Sequence, residues 1–285
     1  EIVYMVIPDA SASFNAMKAG QVDVMRLRRR EAELAEKLAA INSVSGLPTG
    51  PRYGVSFLQN KPPMDDARVR LALVYALDRR ALTKANAGTA VEPSGDAYGK
   101  GHPWHCPNIK WPEYNPAKAK QLLKEYGRPV TFVLTVRPRR SAIRVAETMQ
   151  AMWNKVGVKA TIKVGGRGPG FFRPLFAGKL HAFTYIIPTP IDPFNAFNNY
   201  HSKHPFNYLK IKDPNIDGAL ARLKKARGRD ARYKASCAIQ QLVIDQARYI
   251  SYENPSNTFA FTSKVKGVTK PINNVFDVHR LWIEK

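Results

Sequence analysis

Acidic residues are scarce in this chain: 22 Asp and Glu stand against 45 Lys and Arg in 285 residues, leaving a formal net charge of +23. Cysteine is nearly absent. Cys106 and Cys237 lie far apart and form no CxxC pair, so they define neither a redox motif nor a zinc framework, and the compartment stays open on that count. No run of about 18 apolar residues exists to cross a bilayer as a helix, and Glu1 to Ile7 read as a strand, not as a signal peptide. For an exported protein, the expectation is that the leader has been removed. There is no Gly-x-Ser-x-Gly elbow, P-loop, HExxH or GxGxxG opening a helix after a strand, so the common hydrolase, nucleotide and metalloprotease signatures are missing. Nor is there an RRM-type module, a zinc-finger spacing or a clear helix-turn-helix. Internal repeats and low-complexity linkers are absent too.

What is present suits a folded protein. The 31.9 kDa chain is 44% hydrophobic, enough to build one large or two modest domains without metal or disulfide staples. The charge is uneven: residues 1–52 carry seven basic and six acidic side chains, and the rest carries 38 against 16, a surplus of +22. Such a field favours anionic partners, whether nucleic acid, acidic lipid, an acidic protein surface or an anionic ligand; the competing reading is a solvated basic surface with no dedicated partner. Arg26 to Arg30 are followed by Glu31, Glu33 and Glu36, the pattern of a charged helix face.

Helix and strand signals alternate, which predicts an α/β fold. Asp65 or Asp66 opens a helix with Val69, Leu73, Ala76 and Leu77 as its stripe, stopped by Gly88, and a Gly/Pro-rich loop runs from there to Trp111. Asn115 caps a helix with Pro116 in its first position, Ala119, Leu122, Leu123 and Tyr126 as its stripe, and Gly127 as its left-handed stop. Phe132–Val136 reads as a buried strand, Ser141 as the cap of a second helix carrying Ile143, Ala146, Gln150 and Trp153, and Val158 to Val164 alternate as a half-buried strand. That unit is β-α-β. Gly165–Gly170 reads as a basic, glycine-rich loop with no defined helix after it, Ala182–Ile187 as a strand, and 213–226 and 230–247 as helices ahead of strands at 249–252 and 258–262.

The order of short motifs along the chain carries more information. Pro8-Asp9-Ala10, Phe14, Ala19-Gly20 and Val22-Asp23-Val24 come first, then Phe57-Leu58-Gln59-Asn60 and Pro63-Met64-Asp65-Asp66-Ala67-Arg68-Val69-Arg70 through Tyr75-Ala76-Leu77-Asp78-Arg79. Asn115 to Gly127, Ala146-Glu147, Val156-Gly157-Val158, Asp192-Pro193, Asn207-Tyr208, Asp217 with Leu220, Asp230 to Tyr233 and Val265-Lys266-Gly267 follow. This colinear series resembles the peptide and nickel class (family 5) of ABC-transporter solute-binding proteins over nearly the whole chain. The resemblance implies an α/β, periplasmic-binding-protein-like fold of type II, with the second lobe largely complete and the first partial. It places the end of the first lobe at residues 1–54, the second lobe at 55–255 and a return to the first lobe at 256–285. The strands near Tyr53–Asn60 and Tyr249–Thr262 would carry a hinge closing the lobes over a ligand.

The same resemblance points to binding residues. Tyr185 to Phe197 corresponds to a cleft-facing loop, which makes Tyr185, Thr189, Asp192 and Phe194 candidates. In peptide binders of the family an acidic residue ahead of the Asp-Pro pair holds the ligand's amino terminus. Thr189 stands at that place, which departs from the pattern, and Asp192 either substitutes in part or simply starts a turn before Pro193. Arg137 and Arg140, with Arg139, follow a strand where guanidinium groups suit a ligand carboxylate or phosphate; the alternative is a solvated basic loop. His102, His105 and Cys106, and His201 with His204, have metal-compatible spacing but no fixed fourth ligand, so no metal and no cofactor are expected.

The expected function is therefore non-catalytic: binding a small solute, peptide or related, and passing it to an ABC permease in the membrane, with a periplasmic or cell-surface location. The rest of the first lobe would come from a longer chain or from a separate chain. The alternative is a truncated lobe used as a basic structural or docking subunit in a larger assembly, bound to an anionic macromolecule.

Overall fold

The structure is a computed structural model, which describes residues 1–27, 29–46, 52–85, 97–187, 192–253, 257–271 and 276–284. In chain order its elements are α1 (Ala10–Lys18), β1 (Val24–Leu27), α2 (Arg29–Ala35), β2 (Ile41–Ser45), β3 (Arg52–Phe57), α3 (Ala67–Tyr75), α4 (Arg79–Ala85) and α5 (Pro116–Tyr126). There follow β4 (Thr131–Val136), α6 (Arg140–Asn154), β5 (Lys159–Val164), α7 (Pro169–Phe176), β6 (Ala182–Ile187) and α8 (Pro193–Phe197). The chain ends with α9 (Pro214–Lys225), α10 (Arg229–Asp245), β7 (Tyr249–Glu253), β8 (Thr258–Thr262), β9 (Val265–Lys266) and β10 (Trp282–Ile283). Two compact units result, one of Glu1–Gly50 with Pro255–Lys285 and one of Pro51–Asn254.

The smaller unit is an antiparallel sheet in the order β1-β8-β2, with a β9–β10 ribbon beside it in sequence. Asp9 caps α1 by accepting from the Ala12 amide at 2.8 Å, and Phe14 and Met17 of that helix join Leu27, Ala35, Ile41 and Ala260 in a small core. Gly267 has φ +76, and a Cβ there would lie 1.9 Å from the Arg280 carbonyl oxygen, so no other residue fits this approach. The strand expected over Glu1–Ile7 does not form. Ile2 to Val6 are 57–91% exposed and pair with no described strand; a run of strand-forming apolar residues becomes a strand only where another strand offers a free edge.

The larger unit is built on a five-stranded sheet ordered β5-β4-β6-β3-β7. β4 runs parallel to β5 and β6, and β3 is antiparallel to β6 and β7. The β4–α6–β5 crossover is the expected β-α-β unit. Trp153 of α6 is fully buried edge-on to Phe132, with ring centroids 5.4 Å apart, and its indole N–H donates to the Leu73 carbonyl at 2.9 Å. This hydrogen bond lets a large polar-tipped ring enter the core and ties α6 to α3. α5 has the expected ends: the Asn115 side chain accepts from the Lys118 amide at 2.9 Å, Pro116 leads, and Gly127 stops the helix at φ +75.

Several local readings need correction. The cap of α6 is Arg139, in extended conformation, and Ser141 is already helical; the helix begins at Arg140, earlier than a Ser-based cap would place it, because the bend at Pro138 turns the chain ahead of Ser141. Gly165–Gly170 does lead into a helix. Pro169 takes the first position of α7, and Phe171 and Leu175 anchor one buried face of it, although Pro174 interrupts its later hydrogen bonds. α3 stops at Tyr75, before Ala76 and Leu77, and α4 restarts behind Asp78, which accepts from the Arg80 and Ala81 amides. The stop expected at Gly88 lies outside the described residues.

Cys106 and Cys237 are joined by a disulfide with Cα atoms 5.8 Å apart. It pins the 97–111 loop to α10. Gln240 of the same helix reinforces that attachment: its side chain accepts from the Ala97 amide at 2.9 Å and donates to Ser236 Oγ and to the Trp104 carbonyl.

Candidate functional site

In an open α/β sheet, ligands bind outside the carboxyl ends of the parallel strands. In the larger unit those ends belong to β4, β5 and β6, so Arg137, Gly165 and the end of β6 lie at one edge. The geometry explains the glycine. A Cβ on Gly165 would lie 2.9 Å from the Phe171 ring and 3.1 Å from Thr135 Cγ2, so this position must stay bare for α7 to pack against β4.

Arg137 is half-buried at the end of β4. Its amide donates to Thr184 Oγ1 at 3.1 Å, and its guanidinium lies over the Phe171 ring, 5.7 Å from the centroid. Arg140 is the exposed first residue of α6. That helix has an unusual start: its N-cap is Arg139, no side chain caps it, and its first turn holds no acidic residue. The amides of Arg140, Ser141 and Ala142 therefore have no intrahelical acceptor, and the positive end of the helix dipole meets three arginines. Charge and open donors both favour an anionic group at this corner of the edge.

α7 begins at the same edge but offers less. The Gly170 amide bonds to the Arg167 carbonyl at 3.1 Å, and the Phe171 amide to the Gly168 carbonyl at 3.0 Å, so its first amides are already used.

Asp192 is held by two structural tasks. Its Oδ1 accepts from the Phe194 amide at 2.9 Å and from the Asn195 amide at 3.3 Å, capping α8, while Oδ2 pairs with Arg232 of α10. Phe194 is partly buried against the main core. Tyr185 belongs to β6, paired in register with Gly54, and its side chain lies outside the described residues; so does Thr189 altogether. Of the six candidates, then, Arg137 and Arg140 come together at one corner, and Asp192 with Phe194 at the start of α8. Sequence reasoning missed Arg232 as the partner of Asp192. Its signal was the Asp230–Tyr233 motif, read for its order and not for its contacts.

The histidines serve local turns. His102 Nδ1 accepts from the Trp104 amide at 3.1 Å, and its ring stacks on Tyr98, centroids 4.4 Å apart; burial, with His105 adding to it, lowers its pKa to about 4. His201 and His204 accept from the Lys203 and Phe206 amides, each at 3.1 Å. Cys106 is spent in the disulfide, and among the described residues no group of three His, Cys, Asp or Glu is placed to hold a metal.

The opposite edge of the sheet carries a buried polar network. Arg248 bonds to Asp213, Gln59 and Gln246, and Arg70 donates to the Met64, Asp65 and Gln246 carbonyls at 2.7, 3.1 and 3.1 Å. Burial and the neighbouring Arg248 bring the Arg70 pKa down to about 9. Burial also lowers Arg248, which Asp213 opposes. For Asp213, burial acts upward but is outweighed by the Asn215 amide, Gln246 and Arg248, so its carboxyl sits below the usual value. This network joins the starts of α9 and β7 to α3 and to the chain after β3.

Comparison with known proteins places the chain in a family. The model of the bacterial extracellular solute-binding proteins, family 5 Middle, matches residues 1–208. The oligopeptide-binding protein AppA of Bacillus subtilis (strain 168) is 23% identical over 309 residues, which take in 100% of this chain and 56% of AppA. The dipeptide-binding protein of Escherichia coli (strain K12) is 32% identical over 179 residues, covering 56% of this chain and 31% of that protein. Among solved structures, HbpA2 from Haemophilus parasuis superposes with a TM-score of 0.86 at 23% identity, over 99% of this chain and 58% of HbpA2. B. subtilis AppA in complex with a nonapeptide gives 0.77 at 20% identity, over 98% of this chain and 60% of AppA. The chain thus spans little more than half the length of the full-length relatives it matches. With a family match across residues 1–208 and a periplasmic-binding-protein-like fold, the chain belongs to the bacterial extracellular solute-binding proteins of family 5.

Proposed function

We propose that this protein is a non-catalytic solute-binding component of an ABC importer, taking a peptide or related small solute that carries a carboxylate and presenting it to a membrane permease outside the cytoplasm. The observation that carries this reading is the corner where the uncapped start of α6 meets Arg137 and Arg140, at the edge where α/β sheets bind ligands. A carboxylate there would accept from backbone amides and be matched by guanidinium groups, which form short, charge-assisted and often bidentate bonds. Similarity to oligopeptide- and dipeptide-binding proteins supports the solute class. The disulfide supports an oxidising compartment, periplasmic or cell-surface, because such bonds are rare in reducing cytosol. In this reading residues 1–54 and 256–285 belong to the first lobe and 55–255 to the second. Tyr185 and Thr189 would line the solute beside the Asp192 turn.

Native mass spectrometry of purified protein at low activation tests this. A small-mass adduct retained on the chain, or on its complex with a companion polypeptide, is the expected result. A bare mass of 31.9 kDa that takes up no peptide on titration would overturn it. A chain held only in a large assembly would favour the other reading, a basic docking subunit, which rests on the +22 surplus beyond residue 52.

A further inference from the structure

Part of the charge surplus gathers around exposed aromatic rings past α7. Gly178, just past α7, turns the chain with φ +69, and a Cβ there would lie 3.3 Å from Asn60 Nδ2 and 3.4 Å from Lys210 Cε. Lys61 reaches across the same turn, its Nζ donating to the Lys179 carbonyl at 3.0 Å. Lys61, Lys179 and Lys210 therefore converge on one glycine turn. Beside them Phe176 is 46% and Phe206 59% exposed, with ring centroids 6.3 Å apart, and Phe172 stacks behind Phe176 at 6.1 Å. Arg173 and Lys203 are exposed nearby in sequence. Among the described residues none of these five cations forms an ion pair.

The topology puts this surface away from the candidate site. α7 leaves the carboxyl end of β5 and delivers the chain to the amino end of β6, so Phe176 and Gly178 stand at the opposite edge of the sheet from Arg137. The Leu58 amide, just after β3, bonds to the His181 carbonyl at that same edge, at 2.9 Å. Something bound here would leave the ligand edge uncovered.

We propose that the Lys61, Lys179, Lys210, Phe176 and Phe206 surface docks on an anionic phospholipid bilayer. Lysine ammoniums suit a sheet of phosphate headgroups without needing fixed geometry, and their apolar stems tolerate the interface. Two protruding phenylalanines supply rings that enter the boundary between headgroup and acyl chain. A nucleic acid would draw on the same charges, but its recognition favours a groove of arginine and stacking rings tracking a strand, and here the rings sit together at one end of a lysine cluster.

The test is co-sedimentation with vesicles of phosphatidylcholine alone and of phosphatidylcholine mixed with phosphatidylglycerol. The expected result is binding to the mixed vesicles alone, weakened by added salt. The triple variant Lys61→Ala/Lys179→Ala/Lys210→Ala should lose on the order of 100-fold in partitioning, at about fivefold per lysine. Phe176→Ser/Phe206→Ser should lose roughly tenfold. A control of equal charge loss, Lys120→Ala/Lys124→Ala/Lys159→Ala, should stay near wild type, and circular dichroism would verify the fold of each variant. Equal loss in the control and the triple variant would overturn the proposal, as would vesicle binding by the triple variant at wild-type strength. Tighter retention of a single-stranded oligonucleotide through these same residues would overturn it as well.

Discussion

Cys237, midway along α10, is bonded to Cys106 across 131 residues, so one covalent link closes the stretch that contains β4, β5 and β6. In the chain-entropy account a loop of that length restricts the unfolded state by about 5 kcal/mol, while native disulfides more often deliver about 2–4 kcal/mol. Cys106→Ser/Cys237→Ser should therefore lower the urea midpoint by an amount worth about 2–5 kcal/mol and leave the far-ultraviolet spectrum unchanged. A midpoint insensitive both to these substitutions and to reductant would contradict this.

The Asp192 carboxylate divides its work between the α8 cap and Arg232. Asp192→Asn keeps the cap and gives up a partly exposed ion pair, so it should cost under about 1 kcal/mol. Asp192→Ala loses both and should cost about 1–2 kcal/mol more. Urea unfolding of the two variants separates capping from charge; equal losses would mean the cap contributes nothing.

His102 should give the pH profile a slope on the acidic side, between pH 6.5 and about 4. Its folded pKa of about 4 lies below the ordinary 6.5, so the unfolded chain takes up the proton first. The stability this residue provides is complete above pH 6.5 and is lost as the pH falls from 6.5 towards 4. His102→Gln should flatten that part of the profile, measured as urea midpoint against pH. An unchanged slope would show that His102 titrates normally.

Asp213 acts in a more acidic window. Its folded pKa is below 3.8, so its contribution holds above that value and declines as the pH drops through the lowered one. Asp213→Asn should remove this acid limb. At neutral pH it should cost about 3–5 kcal/mol, because Arg248 is left buried beside Arg70 without its anion. Adding Arg248→Met should recover part of the loss. No recovery would mean that the packing of Arg248, not its charge, is what the network needs.

Much of the larger unit was legible because its signals are local. Asn115, Pro116 and Gly127 mark the ends of α5 by chemistry that acts within four residues, and the β4–α6–β5 pattern follows from periodicity alone. What was not legible depends on distant partners. The disulfide joins residues whose spacing says nothing about proximity, and Arg232 meets Asp192 only once α10 packs by α8. Ile2–Val6 are residues that favour a strand, but a strand also requires a neighbour. For the candidate site, the family resemblance singled out the Asp192 turn and the Arg137–Arg140 segment as candidates. The uncapped start of α6 was hidden, because Ser141 looked like a cap and only the backbone places it two residues past the true cap position, Arg139.

The central claim, that the α6 corner receives a solute carboxylate, is most directly tested by calorimetric titration with trialanine and with trialanine amide, using wild type and Arg137→Ala/Arg140→Ala. A charge-assisted hydrogen bond is worth about 1.5–3 kcal/mol, so the free acid should bind wild type at least about tenfold more tightly than the amide. That preference should vanish in the double variant. Equal affinity of wild type for acid and amide, or a preference that survives the double variant, would contradict the account.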